Sequence, residues 1–328
     1  RSTEPGVKGS NPLLATILLN TCMCIIVAKY FKDTGWVLAK NRDQNYVSKL
    51  SFEDRIDPKV GEVLTMYDHD TGYHEGMNHK GTGHDGMVII TTSLAPTIAD
   101  ETDREDGQHI YRALHHQTQE EAVNYLIKQK MTGFIFVATP EKLMLIEAAK
   151  MDHGVGEYKA KLRVIPKTET VVTTNHGIEY PWAGFQYGYT PREDMWRQSS
   201  EKRKAYAEKA VKNCKTAKEM LEALATKMDK NLQMNLFRVE NKPGQMRTIF
   251  QWALIPSQSI ALIRPVQVKM KLKVSKDKIK VEVLDNEILK KTFNGAVKHF
   301  SRIKIEDNGE YLKTQTENYL LFGQYISN

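Results

Sequence analysis

Cysteine is scarce in this chain. Its 328 residues hold three, Cys22, Cys24 and Cys214, too few for a disulfide framework. Cys22 and Cys24 also lie too close together for an ordinary structural bridge. The chain reads as one for a reducing compartment, or one indifferent to redox state. Long apolar runs are missing too. No segment approaches the roughly 18 consecutive apolar residues of a membrane span, so no span is expected. Repeats of fixed period and low-complexity tracts are absent, which argues against a solenoid or a long disordered arm. No charge of one sign dominates. The net charge is +7 with the signs interspersed, so nucleic-acid binding is permitted but not indicated, and no nucleic-acid partner is expected.

What is present is enough apolar residue, 41% of the chain, for a sizeable core in one large domain or two ordinary ones. Residues 1–23 differ from the rest. They combine Pro, Gly and Ser with a short apolar run, Leu13 to Leu19. They read as a removable propeptide, a leader, or an upstream extension of a frame that begins at Met23. The last is favoured, and with it a cytoplasmic location. Removal of an initiator Met would then expose the Cys24 thiol. Residues 24–284 read as the main domain and 285–328, polar with scattered aromatics, as a C-terminal extension that wraps it.

Along the main domain, 24–31 and 36–40 read as a β-hairpin joined by Asp33-Thr34-Gly35. Strands are expected at 62–67, 87–93, 133–138, 142–148, 161–165, 170–174, 248–255, 259–264, 266–274 and 278–284. The stretch 68–86, dense in Gly, His and Asp, reads as a loop. Thr118 and Glu121 form a capping box ahead of a helix, with a shorter helix at 108–116. Thr190-Pro191-Arg192-Glu193 is an N-cap with Pro at the first helical position, opening a helix to about Asn213. Thr216 opens another, ending near Lys227. Runs of strands separated by runs of helices predict an α+β layered fold with stacked sheets.

The chemistry starts at Cys24. Met23-Cys24-Ile25-Ile26-Val27-Ala28 opens the first strand, and Lys40-Asn41-Arg42-Asp43 closes the second. A thiol is mostly protonated at neutral pH and needs a base to become a nucleophile. If the chain were cut before Cys24, its own α-amine, titrating at about 7.7–8.0, would serve. Antiparallel pairing returns Asp43 to that amine, where a carboxylate can hold it. An acyl-transfer transition state also needs oxyanion donors, and Asn175, at the end of a predicted strand, can supply one. The residues thus point to an amide-cleaving enzyme that needs no cofactor.

Four features together resemble the N-terminal-nucleophile hydrolases of the choloylglycine hydrolase, penicillin V acylase and isopenicillin-N acyltransferase group. They are Cys24 with Asn41-Arg42-Asp43; Gly76-Met77-Asn78-His79-Lys80-Gly81 with the later Gly86-Met87-Val88-Ile89; Thr174-Asn175-His176; and Ser199-Ser200 followed by Arg203. Met246 to Gln251 resembles the strand that follows in that group. The resemblance implies a four-layer αββα sandwich of two stacked antiparallel sheets. It also implies autoprocessing, with hydrolysis or acyl transfer at a non-peptide C–N amide bond of a small molecule. It carries over Cys24 as nucleophile, Asp43 as the holder of the amine, Asn175 as oxyanion donor and Arg203 as electrostatic support. Lys40 stands where the group has Arg, keeping the charge and losing the bidentate fork. Thr92 or Ser93 stands where a second oxyanion Asn is expected. Asn41, Arg42 and His176 are supporting or substrate-binding candidates.

Competing readings accompany each. Cys24 can be a core cysteine in a relative that is never processed, silent as an enzyme and structural or interacting in role. Asp43 can be a hairpin-end ion pair with Arg42 or Lys40, Asn175 a strand-end turn residue, and Arg203 a solvated helix charge. His69, His74, His79 and His84 recur every fifth residue. That spacing aligns on neither a helix nor one strand face, so no metal is expected. Lys269, Lys271, Lys273, Lys276, Lys278 and Lys280 read as a lysine-faced edge hairpin. A homo-oligomer is left open.

Overall fold

The computed structural model describes residues 23–45, 48–79, 86–94, 102–151, 156–188, 190–238, 245–266, 268–273, 279–284 and 320–322. In chain order the strands are β1 (Ile25–Phe31), β2 (Gly35–Gln44), β3 (Lys49–Asp57), β4 (Gly61–Asp68), β5 (His74–His79), β6 (Met87–Thr92), β7 (Gly133–Ala138) and β8 (Leu143–Lys150). They continue with β9 (Tyr158–Ile165), β10 (Val171–Thr173), β11 (Arg247–Ile255), β12 (Ile260–Pro265), β13 (Val268–Lys273), β14 (Lys280–Val283) and β15 (Leu320–Phe322). The helices are α1 (Thr102–Ala113), α2 (Gln119–Lys128), α3 (Pro191–Val211) and α4 (Ala217–Leu224). No described helix is long and apolar enough to cross a membrane.

The strands form two mostly antiparallel sheets, so the fold is α+β. One has six strands in the order β10-β1-β2-β11-β12-β14. The other has nine, β15-β13-β3-β4-β5-β6-β7-β8-β9. Alternation along each strand sorts side chains to two faces. Ile26 and Ala28 of β1, Trp36 and Leu38 of β2, and Phe250 and Trp252 of β11 pack in one cluster with Leu50 and Phe52 of β3, Val88 and Ile90 of β6, and Phe134 and Phe136 of β7. Phe52 meets Phe250 and Trp252 edge-on, with centroids 5.9 and 6.1 Å apart, so the main core lies between the sheets. The intervening residues face helices. Ile25, Val27, Val37 and Ala39 pack with Ala207 and Val211 of α3 and Met220, Leu221 and Leu224 of α4. Met87, Ile89, Ile135 and Val137 pack with Ile110 of α1 and Ala122, Val123 and Leu126 of α2. Each large apolar side chain buried this way contributes about 1.5–3 kcal/mol.

The β1–β2 hairpin forms as expected, with Ile25 opposite Asn41 and Phe31 opposite Gly35. Gly35 is required at its turn: its φ is +74°, and an added Cβ would come within 2.4 Å of Pro140 O. The Thr118–Glu121 capping box is formed. Thr190 caps α3 by accepting from Glu193 N at 3.1 Å, with Pro191 following.

Four expectations need correction. The sheets are not wholly antiparallel, because β14 runs parallel to β12 and β13 parallel to β3. The stretch 68–86 is not all loop, since β5 lies within it, paired to β4 and β6. The lysine-rich segment is no hairpin: β13 joins the nine-stranded sheet and β14 the six-stranded one. The chain crosses between sheets after β12, so adjacent lysine-rich strands end up in different layers. Finally, β3 had no counterpart among the expected strands. From the C-terminal region, β15 adds to the sheet beside β13; the rest of 285–328, apart from β15, and residues 1–22 lie outside the described residues.

Candidate functional site

Cys24 sits at the head of β1 and is fully buried. The hairpin pairing continues two residues beyond Ile25, where Met23 N–H donates to Asp43 O at 3.0 Å. Cys24 therefore lies opposite Arg42. On its other side, β10 pairs with β1 in a register that sets Ile26 opposite Thr173, which continues to Asn175 beside Cys24. The head of β1 is thus flanked by both predicted partners.

The Asn41-Arg42-Asp43 run divides between faces, as strand alternation demands. Lys40 and Arg42 reach toward the nine-stranded sheet. Lys40 Nζ pairs with the Glu75 carboxylate and donates to Thr91 O at 2.6 Å. Arg42 pairs with Asp68, which also accepts from Gln44 Nε2 at 3.0 Å, and its guanidinium lies 5.9 Å from the Tyr73 ring centroid. Asn41 and Asp43 face the helices. Asn41 Nδ2 donates to Leu224 O and Leu236 O at 2.9 and 2.7 Å, and its Oδ1 accepts from Gln251 Nε2 at 2.7 Å.

Asp43 does not pair with Lys40 or Arg42, contrary to one reading of the sequence. Its Oδ1 accepts from Thr248 Oγ1 at 2.7 Å. Its Oδ2 lies 3.6 Å from Arg203 Nη2 and 3.6 Å from Arg238 Nη1, and accepts no hydrogen bond among the described residues. Arg203 is not a solvated helix charge either. It is fully buried, and its Nη2 donates to Met23 O at 2.8 Å and Cys24 O at 3.0 Å. One guanidinium therefore grips the backbone on both sides of the Met23–Cys24 peptide bond and stands beside the carboxylate.

Arg238 is the residue that sequence reasoning missed. It follows a short helical turn (Leu232–Met234), and its backbone is tied both ways to Thr248. Its Nη2 donates to Ser199 Oγ and to Gln233 O, both at 2.7 Å. Burial, then the charge of Arg203, lowers its pKa to about 9, while Asp43 and Cys24 oppose that shift. No periodicity or motif marks this segment; a charged residue between Phe237 and Val239 was the only available signal.

Asn175, Thr92 and Ser93 come together. Asn175 Nδ2 donates to Thr92 Oγ1 at 3.3 Å and Ser93 O at 2.9 Å. Its backbone N–H donates to Ser200 Oγ at 2.9 Å, Thr174 Oγ1 donates to Ser200 O at 3.0 Å, and His176 Nδ1 lies 2.8 Å from Ser200 Oγ. Ser199, Ser200 and Arg203 occupy the buried side of α3. Through them one helix positions Arg238, the Thr174–His176 segment and the Met23–Cys24 bond. His176 has its pKa lowered to about 4, first by burial and then by Arg197, so it is uncharged at neutral pH.

Among the described residues no group of three or more His, Cys, Asp or Glu side chains could hold a metal ion. His69 contacts Ser51 Oγ at 3.1 Å, His74 stacks on Tyr67, and His79 bonds Ser259; His84 lies outside the described residues. Asn78 accepts from Met87 N at 2.7 Å and donates to Leu114 O at 2.7 Å, joining β5 to β6 and to the end of α1. Compared with known proteins, this chain matches no family model and no curated protein sequence.

Proposed function

We propose that the chain is a cysteine N-terminal-nucleophile enzyme of the αββα kind, an amidohydrolase or acyltransferase acting on a non-peptide C–N amide of a small molecule. The observation that carries the reading is the setting of the Met23–Cys24 bond. Its N-terminal side is anchored on Asp43 O, its carbonyl is held by Arg203, and Asp43 Oδ2 is buried beside it with an open lone pair. Helices packed on the outer faces of two stacked sheets support the four-layer arrangement.

In this reading the bond before Cys24 is hydrolysed first, water adding to the Met23 carbonyl and leaving it as a carboxylate, and the new α-amine is held by Asp43. The amine takes the thiol proton, and the thiolate attacks the amide carbonyl. The C–N bond then breaks as the amine returns the proton to the leaving nitrogen, giving an acyl-thioester on Cys24. Water, or a second amine, takes the acyl group and regenerates the thiol. Asn175 with Thr92, and Arg203, are the donors for the oxyanion. Lys40 and Arg42 support the strand that carries Asp43. No cofactor enters these steps.

A catalytically silent relative is the second reading, favoured by the complete burial of Cys24 while Met23 is attached. Intact mass and peptide mapping of the purified chain separate the two. The enzyme reading expects a species beginning at Cys24, alkylated at that residue and active on simple N-acyl amides, with label and activity lost in Cys24→Ala. A stable chain that keeps Met23 and leaves Cys24 unreactive sinks it.

A further inference from the structure

Met23 must leave before the Cys24 amine can act, and its side chain has a place of its own. It is 1% exposed. It packs with Phe185 and Met246, and with Trp196, which is only partly buried. The Phe185 and Trp196 rings lie with centroids 5.1 Å apart. Met23 Sδ lies 3.9 Å from Arg238 Nη1. Thus Met23 is held at three points: its amide on Asp43 O, its carbonyl on Arg203, and its thioether among Phe185, Met246 and Trp196.

Those partners belong to the folded body and stay when the Met23–Cys24 bond breaks. Trp196 is on α3, Met246 directly precedes β11, and Phe185 is fixed because Arg197 Nη1 donates to its carbonyl at 2.9 Å. An acyl group on its way to Cys24 must present its carbonyl carbon beside the cysteine's own nitrogen and sulfur. In the intact chain the Met23 carbonyl is there, bonded to Cys24 N and polarised by Arg203. The tail behind that carbonyl lies in the Met23 pocket.

Resting on the enzyme reading above, we propose that the pocket holding the Met23 side chain is the acyl subsite of the processed enzyme. Its substrates are then amides of linear, uncharged acyl chains of methionine's length. Hexanoyl matches methionyl atom for atom along the chain, with a methylene in place of sulfur. The lining explains the selectivity. Phe185, Met246 and Trp196 favour an unbranched apolar chain, and the Arg238 guanidinium at the thioether repels a cationic tail. Asp43 and the partners at Ser199 and Gln233 already engage that guanidinium, so an anionic tail gains little.

The test uses the full chain, allowed to process, and compares kcat/KM for acetyl, hexanoyl, decanoyl, glutaryl and phenylacetyl p-nitroanilides. The expected result is hexanoyl above acetyl by about tenfold or more, with the other three below hexanoyl. Met246→Trp, which narrows the pocket, should lower the hexanoyl-to-acetyl ratio. Phe185→Ala, which widens it, should raise the decanoyl-to-hexanoyl ratio, so either variant suffices if the other does not fold. A flat profile, or a preference for decanoyl, glutaryl or phenylacetyl with Cys24 still labelled and active, overturns the subsite and leaves the nucleophile standing. No labelling and no turnover of any amide overturns both.

Discussion

Asp43 carries one negative charge between two buried guanidinium groups, Arg203 and Arg238. That ratio makes it a keystone, since breaking a buried pair by removing one partner costs about 3–5 kcal/mol. Asp43 and Arg203 were legible in the sequence because each belongs to a short pattern. Arg238 was not, because its partners, Asp43 and Ser199, are remote in the chain. His176 offers a residue-scale test by pH. Its folded pKa of about 4 lies below the usual 6.5, from burial first and then Arg197, Lys204 and Arg203, with Glu201 opposing. Between those values the unfolded chain binds a proton that the folded one does not. Stability therefore falls as pH drops from about 6.5 toward about 4, by roughly 3 kcal/mol from this residue. His74, also lowered to about 4, chiefly by burial, adds in the same direction. Urea midpoints at pH 7 and pH 4.5 should fall less steeply in His176→Asn than in the native chain; equal falls would discard the argument.

Elements differ in how openly the sequence announces them. The start of α3 was plain, because Thr190, Pro191 and Glu193 meet local requirements of a helix N-terminus. β5 was hidden. Its sequence, His74-Glu75-Gly76-Met77-Asn78-His79, holds one large apolar residue and reads as loop. It is a strand because its polar groups find partners elsewhere: Glu75 with Lys40 and with Thr91 N at 2.9 Å, and Asn78 with Met87 N and Leu114 O. Gly76 shows how tightly it is fitted. A Cβ there would lie 2.1 Å from Leu64 O and 3.0 Å from Thr65 Cα on the neighbouring strand β4, and these are backbone atoms that no rotamer change can move aside. Gly76→Ala is expected to destabilise by about 1–3 kcal/mol or more, as overpacking does. Chemical denaturation measures it, and an unchanged midpoint would contradict the close approach.

At the scale of the molecule, two buried ion pairs join the sheets beside the site: Lys40 of β2 with Glu75 of β5, and Arg42 of β2 with Asp68 of β4. Each is a desolvated pair whose halves depend on one another. Glu75→Leu alone leaves the buried Lys40 charge with the Thr91 carbonyl but no counter-ion, an expected loss of about 3–5 kcal/mol. The double variant Lys40→Met with Glu75→Leu should recover most of that, since an apolar pair of similar volume is often neutral or better. A double-mutant cycle by urea denaturation reads the coupling. Additive losses would show that the pair is not a cross-sheet unit.

The sequence by itself determined what depends on neighbours a few residues apart. The β1–β2 hairpin, the caps of α2 and α3, the alternation that sorts Ile25 from Ile26, and the grouping of Cys24 with Asp43 all follow from local geometry and one antiparallel turn. Tertiary structure decided the rest. It divided Asn41, Arg42 and Asp43 between two faces with separate partners, sent β13 and β14 to different sheets, made a strand of His74–His79, and brought Arg238 to Asp43. Apart from the placing of β13 and β14, which rests on backbone pairing with β3 and β12, each of these depends on a buried charge or polar group meeting its partner across a long stretch of chain. Such pairing follows no sequence period, because a charge taken out of water is satisfied by whatever the fold brings within reach.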